Sequence, residues 1–207
     1  MAHRRIVPAF IALSLLAACA GGSGGGYGLH YYRLIEPGPE DVARGAMIVT
    51  PGRRWNRAPR GPYDIDKEEN WTLNGPLLDN LTFVGGLEHD KRIVQQRRKA
   101  DRKVPHFRSD MSPPEIASLI ETFYRVRGGA SEFNMTGLQP RTFLGRPGFQ
   151  FDFEELGGDE VWRRGRAVGA IVDGRLYLAL LQATRAHYFG AALPEYERIV
   201  ESARLGR

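Results

Sequence analysis

In Ala167-Val168-Gly169-Ala170-Ile171-Val172-Asp173-Gly174-Arg175-Leu176-Tyr177-Leu178-Ala179-Leu180-Leu181, two β-type runs meet at an Asp-Gly pair. Such a pair accepts positive φ at both central positions of a type I′ turn, whose twist matches that of two antiparallel strands. The stretch therefore predicts a long hairpin, 167–172 against 176–183. Leu176 to Leu181 is apolar at odd and even positions alike, so this strand should lie centrally in a sheet with cover on each side.

Upstream, Phe149, Phe151 and Phe153 alternate with Gln150, Asp152 and Glu154, the period of a strand with one buried and one wet face. Ser112-Pro113-Pro114-Glu115 reads as a capping box with proline at the first helical position, and Met111 could staple onto Ile116. Ile116, Leu119, Ile120, Phe123 and Tyr124 then recur at helical spacing until Gly128-Gly129 stops the helix. Residues 45–50 read as a strand ended by Pro51-Gly52, and Arg53, Arg54, Trp55, Asn56 and Arg57 continue into a second. Asn74-Gly75 predicts a second type I′ hairpin, pairing 76–84 back on Trp71. Pro194 is placed at the start of a closing helix with the stripe Tyr196, Ile199, Val200 and Ala203.

This order of hairpin strands, capped helix, aromatic strand, Asp-Gly hairpin and terminal helix resembles the PsbP-like domain. The likeness is carried by the 111–115 helix start, Phe143-Leu144-Gly145 and Val172-Asp173-Gly174-Arg175-Leu176-Tyr177. It implies an α+β fold, an antiparallel sheet with helices packed on both faces in an α/β/α sandwich. It also implies an accessory or assembly subunit that binds other proteins and shares no catalytic residues with its relatives.

The other end of the chain speaks to location. Arg4 and Arg5 precede an apolar run from Ile6 to Leu16, then the small residues Ala17-Ala18 before Cys19, which is the one cysteine of the 207 residues. A largely apolar run of eleven residues is too short to span a hydrocarbon core, which takes about twenty, so the segment reads as an export leader. Leu16-Ala17-Ala18-Cys19 resembles the lipobox of bacterial lipoprotein signals, which implies cleavage before Cys19 and its lipidation. The organisation expected is a signal peptide over 1–18, a lipidated cysteine and glycine-rich tether over 19–42, and one α+β domain over 43–207. Losing 1–18 removes two arginines and no acids, so the formal charge falls from +5 to +3.

The most unusual composition lies between Leu87 and Asp110, where Lys91, Arg92, Arg97, Arg98, Lys99, Arg102, Lys103 and Arg108 face three aspartates. Arg97, Arg98, Lys99, Arg102 and Lys103 are the candidate binding surface, for anionic headgroups, cell-wall carboxylates or an acidic protein; a solvated loop is the plain alternative. An exported chain does not meet cytoplasmic nucleic acid. No metal-ligand spacing, phosphate loop or dinucleotide fingerprint occurs, and no cofactor is expected. Gly21-Gly22-Ser23-Gly24-Gly25 fits a nucleophile-elbow pattern, but no strand precedes it. His89, His106 and His187 read as surface or packing residues. The expected function is thus a non-enzymatic envelope lipoprotein facing the periplasm, bound to the membrane by its lipid and to a protein partner. The alternatives are a structural module touching cell wall or anionic membrane, and an envelope hydrolase. The hydrolase would need a cleft that joins His106 or His187 to a carboxylate within hydrogen-bond reach.

Overall fold

The computed structural model describes residues 31–61, 64–95 and 104–206. Eight strands form one antiparallel sheet: β1 (Arg33–Ile35), β4 (Trp55–Arg57), β5 (Glu68–Thr72), β6 (Asp79–Leu87), β10 (Arg175–Thr184), β9 (Trp162–Val172), β8 (Arg146–Leu156) and β7 (Glu132–Phe143), in that spatial order. A second sheet sets β3 (Met47–Val49) between β2 (Glu40–Val42) and β11 (Arg204–Leu205). The helices are α1 (Pro113–Gly128) and α2 (Tyr188–Ser202).

The Asp-Gly hairpin is as expected. Val172 pairs with Arg175, and Asp173 and Gly174 have φ of 49° and 74°, the two positive values that a type I′ turn requires. β10 sits between β6 and β9 and is covered on both sides. Ala179, Leu181 and Ala183 join a core with Trp55, Trp71, Phe83 and Tyr196. Leu176, Leu178 and Leu180 join another with Phe149, Phe151, Phe153 and the α1 stripe. α1 follows its sequence closely: the Glu115 carboxylate accepts from the Ser112 backbone N–H at 2.7 Å and from its hydroxyl at 2.8 Å. Gly129, at φ 68°, ends the helix in the left-handed conformation that glycine adopts without cost.

The α/β/α sandwich itself needs correcting. Among the described residues there are eleven strands and two helices, so sheet, not helix, dominates the chain, and helices do not layer either face. One core is closed by α2 together with Val42, Met47 and Val49 of the second sheet. The other is closed by α1 together with Ile93, Val94, Val104, Phe107 and Met111, from an irregular excursion between β6 and α1. Only two stretches carry a helical stripe, and one helix cannot cover a face eight strands wide.

Three further expectations are corrected. Residues 33–42, assigned to the tether, hold β1 and β2: Ile35 pairs with Trp55 and Val42 with Met47, and both Ile35 and Val42 are buried. α2 starts at Tyr188 with Pro194 inside it, because Phe189 and Ala192 extend the apolar stripe a full turn upstream. Trp71 does pair with Leu81, but residues 73–78 between β5 and β6 are a longer loop, not a two-residue turn. Its shape comes from Asp79, 2% exposed, whose carboxylate accepts from Thr72 Oγ1 and Leu73 N at 2.8 and 2.6 Å and from Asn74 N and Nδ2 at 3.0 and 2.6 Å.

The outward face of β8 is not wet either. Asp152 accepts from the Arg166 guanidinium at 2.6 and 2.9 Å, Arg166 also reaches Glu197 of α2 at 2.8 Å, and Arg141 meets Glu197 at 2.7 Å. Alternation locates the polar residues of that face without saying that a helix carrying a carboxylate will lie over them.

Candidate functional site

Cys19 and the five candidate cations Arg97, Arg98, Lys99, Arg102 and Lys103 lie outside the described residues. The flanks of the basic segment are described, and they are not a free loop. Glu88 and Lys91 form a turn, with Lys91 N donating to Glu88 O at 3.2 Å. Asp90 N donates to Phe107 O and Phe107 N to Lys91 O, both at 2.8 Å, and Arg92 bridges His106 as an isolated antiparallel pair. Ile93, Val94, Val104 and Phe107 are buried against α1. Apolar residues between the cations thus fix both ends of the segment.

Beside these flanks opens a cleft of about 390 Å³ whose floor is Ile65, Val84 and Leu87 and whose rim carries Lys67, Glu88 and Lys91. It continues into a second hollow of about 350 Å³ that shares Ile65, Lys91 and Gln95 and adds Asp90 and His106. The floor is held from beneath. Arg127, in the last turn of α1, bonds to the buried carboxylates of Asp64 and Glu68. Gly61 N donates to Asp64 Oδ2 at 2.7 Å, Ile65 N to Glu68 Oε2 at 3.2 Å, and Gln95 Nε2 to Asp64 O at 2.9 Å. Burial pushes the Glu68 carboxyl up, and Arg127 opposes the shift. Removing one partner from such a buried pair strands a charge, so each holds the other in place.

At the rim His106 Nδ1 lies 2.6 Å from Asp90 Oδ1, a hydrogen bond that lowers the Asp90 carboxyl below its usual value. His89 Nδ1 accepts from the Ser109 backbone N–H at 3.2 Å and lies 3.2 Å from its hydroxyl. A serine, two histidines and a carboxylate therefore stand together, but not as a relay: the carboxylate orients His106, whereas the serine meets His89. His187 packs its ring edge-on against Tyr188, centroids 5.2 Å apart. Among the described residues no group of three or more His, Cys, Asp or Glu could hold a metal. The cleft offers an apolar floor, fixed walls and charges of both signs at its rim, which suits recognition of a chain or surface.

Sequence reasoning missed a third hollow, of about 260 Å³, lined by Pro76, Glu155, Asp159, Arg163 and Gln182 toward the other end of the sheet. Glu155 is 1% exposed. One of its oxygens accepts from Gln182, and the other has no partner among the described residues. Burial pushes its carboxyl up to about 7 against the pull of Arg163 and Gln182. The signal was legible: Phe149, Phe151 and Phe153 face inward, and Glu155 is the next residue of that parity.

No family model and none of the curated proteins match the chain. Among solved structures it is similar to cyanobacterial PsbP (CyanoP) from Synechocystis, with a TM-score of 0.52 and 14% identity over 89% of this chain and 98% of that one. LpqN, involved in cell envelope biogenesis of Mycobacterium tuberculosis, aligns with a TM-score of 0.34 and 10% identity over 87% of this chain and 88% of that one. The first likeness concerns the fold, which is thus PsbP-like; the second is too loose to carry an argument.

Proposed function

We propose that this chain is an envelope lipoprotein, held to a membrane by lipid on Cys19 and facing the periplasm, whose folded part is a non-enzymatic accessory or assembly module that docks a protein partner at the cleft. The observation that carries the docking is the cleft's construction: an apolar floor of Ile65, Val84 and Leu87 braced by Arg127 on two buried carboxylates, beside a segment rich in cations. Rigid walls lower the ordering cost of binding, and rim charges steer a partner and select it. The PsbP-like fold supports the same reading, since resemblance to that family implies binding without shared catalytic residues.

Labelled palmitate tests the anchor. The wild-type chain should take up label and remain with membranes, and Cys19→Ala should do neither; label on Cys19→Ala would sink the anchor. Cross-linking from solubilised membranes tests the docking, with a stoichiometric partner captured by wild type and lost from Lys67→Glu with Lys91→Glu. A second reading, an envelope hydrolase, draws on the Asp90–His106 contact at the rim. It requires hydrolysis that disappears in His106→Ala while partner capture is unchanged.

A further inference from the structure

Six large apolar or aromatic side chains are exposed among the described residues, and three of them, Tyr31, Tyr32 and Leu34, fall within four positions at 74%, 45% and 52% exposure. They border β1, the first strand of the eight, which pairs with β4 alone among the described strands. By strand alternation Tyr32 and Leu34 share the face opposite buried Ile35, with Tyr31 next to them in the chain; apolar side chains exposed together mark a contact where scattered single ones need no explanation.

We infer that Tyr31, Tyr32 and Leu34 form a membrane seat, the surface through which the folded part rests on the headgroup region of the bilayer that holds Cys19. This deepens the anchored-lipoprotein reading and rests on it. Cys19 is twelve residues before Tyr31, so even a fully extended connection holds Tyr31 within about 40 Å of the lipidated residue, at no more than 3.6 Å per residue. The cluster is therefore the part of the described fold nearest along the chain to the lipidated residue. Tyrosine suits that boundary because its ring is apolar and its hydroxyl wet, and a neighbouring arginine can keep its head in water. Arg33, between them, has a side chain 60% exposed, paired with Glu40 at 2.6 Å. Strand addition by a protein partner fits less well: β1 has three residues, and short, charged edges are how sheets discourage added strands. The acyl chains on Cys19 would hold the protein to the membrane, and a seated cluster would fix which face of the fold meets it. With β1 seated, β7 at the opposite edge stands seven strand spacings away, roughly 34 Å at about 4.8 Å each.

The test compares two tryptophan probes in the full lipoprotein, reconstituted into phosphatidylcholine–phosphatidylglycerol vesicles with brominated acyl chains. Tyr32→Trp reports from the seat. Met135→Trp reports from β7, where Met135 is 41% exposed; the native tryptophans are subtracted as a common background. Quenching at position 32 should exceed that at 135 by at least about threefold, since a seated ring lies near the headgroup–acyl boundary. Palmitate labelling of the same preparations reads the anchor separately. Labelled protein quenched equally at both positions overturns the seat and leaves the anchor standing. Unlabelled protein quenched at position 32 alone overturns the anchor and retains the seat. A change in sizing-column mass on replacing Tyr31, Tyr32 and Leu34 by serine would make the cluster a contact between copies, and the seat would fall.

Discussion

The two ends of the eight-stranded sheet satisfy their acidic side chains in different ways: by Arg127 for buried Asp64 and Glu68 at the cleft end, and, among the described residues, without a buried cation for Asp79 and Glu155 at the other. At the end where β6 begins, Asp79 and Glu155 are 2% and 1% exposed; at the end where β6 finishes, the Asp90 side chain is 78% exposed and bonds His106 in the open. Even the two buried acids where β6 begins differ. Asp79 accepts four hydrogen bonds and sets a loop, whereas Glu155 accepts one and has an oxygen without a partner among the described residues. A buried carboxylate stabilises a fold in proportion to the donors that surround it, and without them it is held neutral by burial. Docking, as proposed, belongs to the cleft end, where the exposed Asp90–His106 pair stands beside the Arg127-bound Asp64 and Glu68.

Removing the satisfied acid should have the largest effect. Asp79→Ala leaves the Leu73 and Asn74 N–H groups and the Thr72 hydroxyl to find water inside a partly buried loop. Hydrogen bonds to charged groups and stranded donors together place the loss at about 3–5 kcal/mol. Urea unfolding measures it. A midpoint equal to that of wild type would break the contrast, because the loop would then hold its shape without its acceptor.

Glu155 should behave in the opposite sense. Its folded carboxyl titrates at about 7 against an ordinary value of 4.5, so between those pH values the folded state binds more protons than the unfolded chain. Its share of stability is therefore fully present below about 4.5 and is lost as pH rises through about 7. The amount is on the order of 1–3 kcal/mol at about 1.4 kcal/mol per pH unit, discounted for partial screening. Glu155→Gln removes the titration, keeps the shape and should be the more stable protein at pH 8. Thermal melts of both proteins from pH 4 to 8 check this. Parallel curves would mean that the unpartnered oxygen already has a donor, such as a bound water.

The two ends also differ in how far the chain announces them. α1 was legible because its signals are local: Ser112, Glu115, the apolar stripe and Gly129 lie within eighteen residues. Asp173-Gly174 was legible for the same reason. Asn74-Gly75 looked the same and folded otherwise, since Asp79, farther along, offers its acceptors to Leu73 and Asn74 and so outweighs the dipeptide's turn preference. The second sheet joins Met47 to Leu205, a pairing that no local pattern encodes. The cleft is likewise assembled from segments near 65, 84 and 91, with Asp90 and His106 brought within bonding distance by backbone pairing of 90–92 with 106–107. Composition pointed to the basic stretch; it did not show that Ile93, Val94, Val104 and Phe107 bolt its flanks to the core.

The smallest effect on stability should come from the candidate cations at the contact end. Replacing Arg97, Arg98, Lys99, Arg102 and Lys103 by glutamine removes five positive charges, while the fold's hold on this region runs through buried flanking side chains. Surface changes away from such features stay within about 0.5 kcal/mol, so the melting temperature should barely move. Retention by a partner should fall and should depend on salt, since attraction between solvated charges is screened over about 8 Å at physiological salt. Wild-type retention should weaken as salt rises, and the five-glutamine protein should lose most of that dependence. Retention and melting measured together for both proteins decide the matter. A collapsed melt would place the cations in the fold and erase the difference between the two ends, and unchanged retention at low and high salt would leave them a solvated loop. Retention that falls with salt in wild type alone, on an unchanged melt, is the result that makes this end a contact surface.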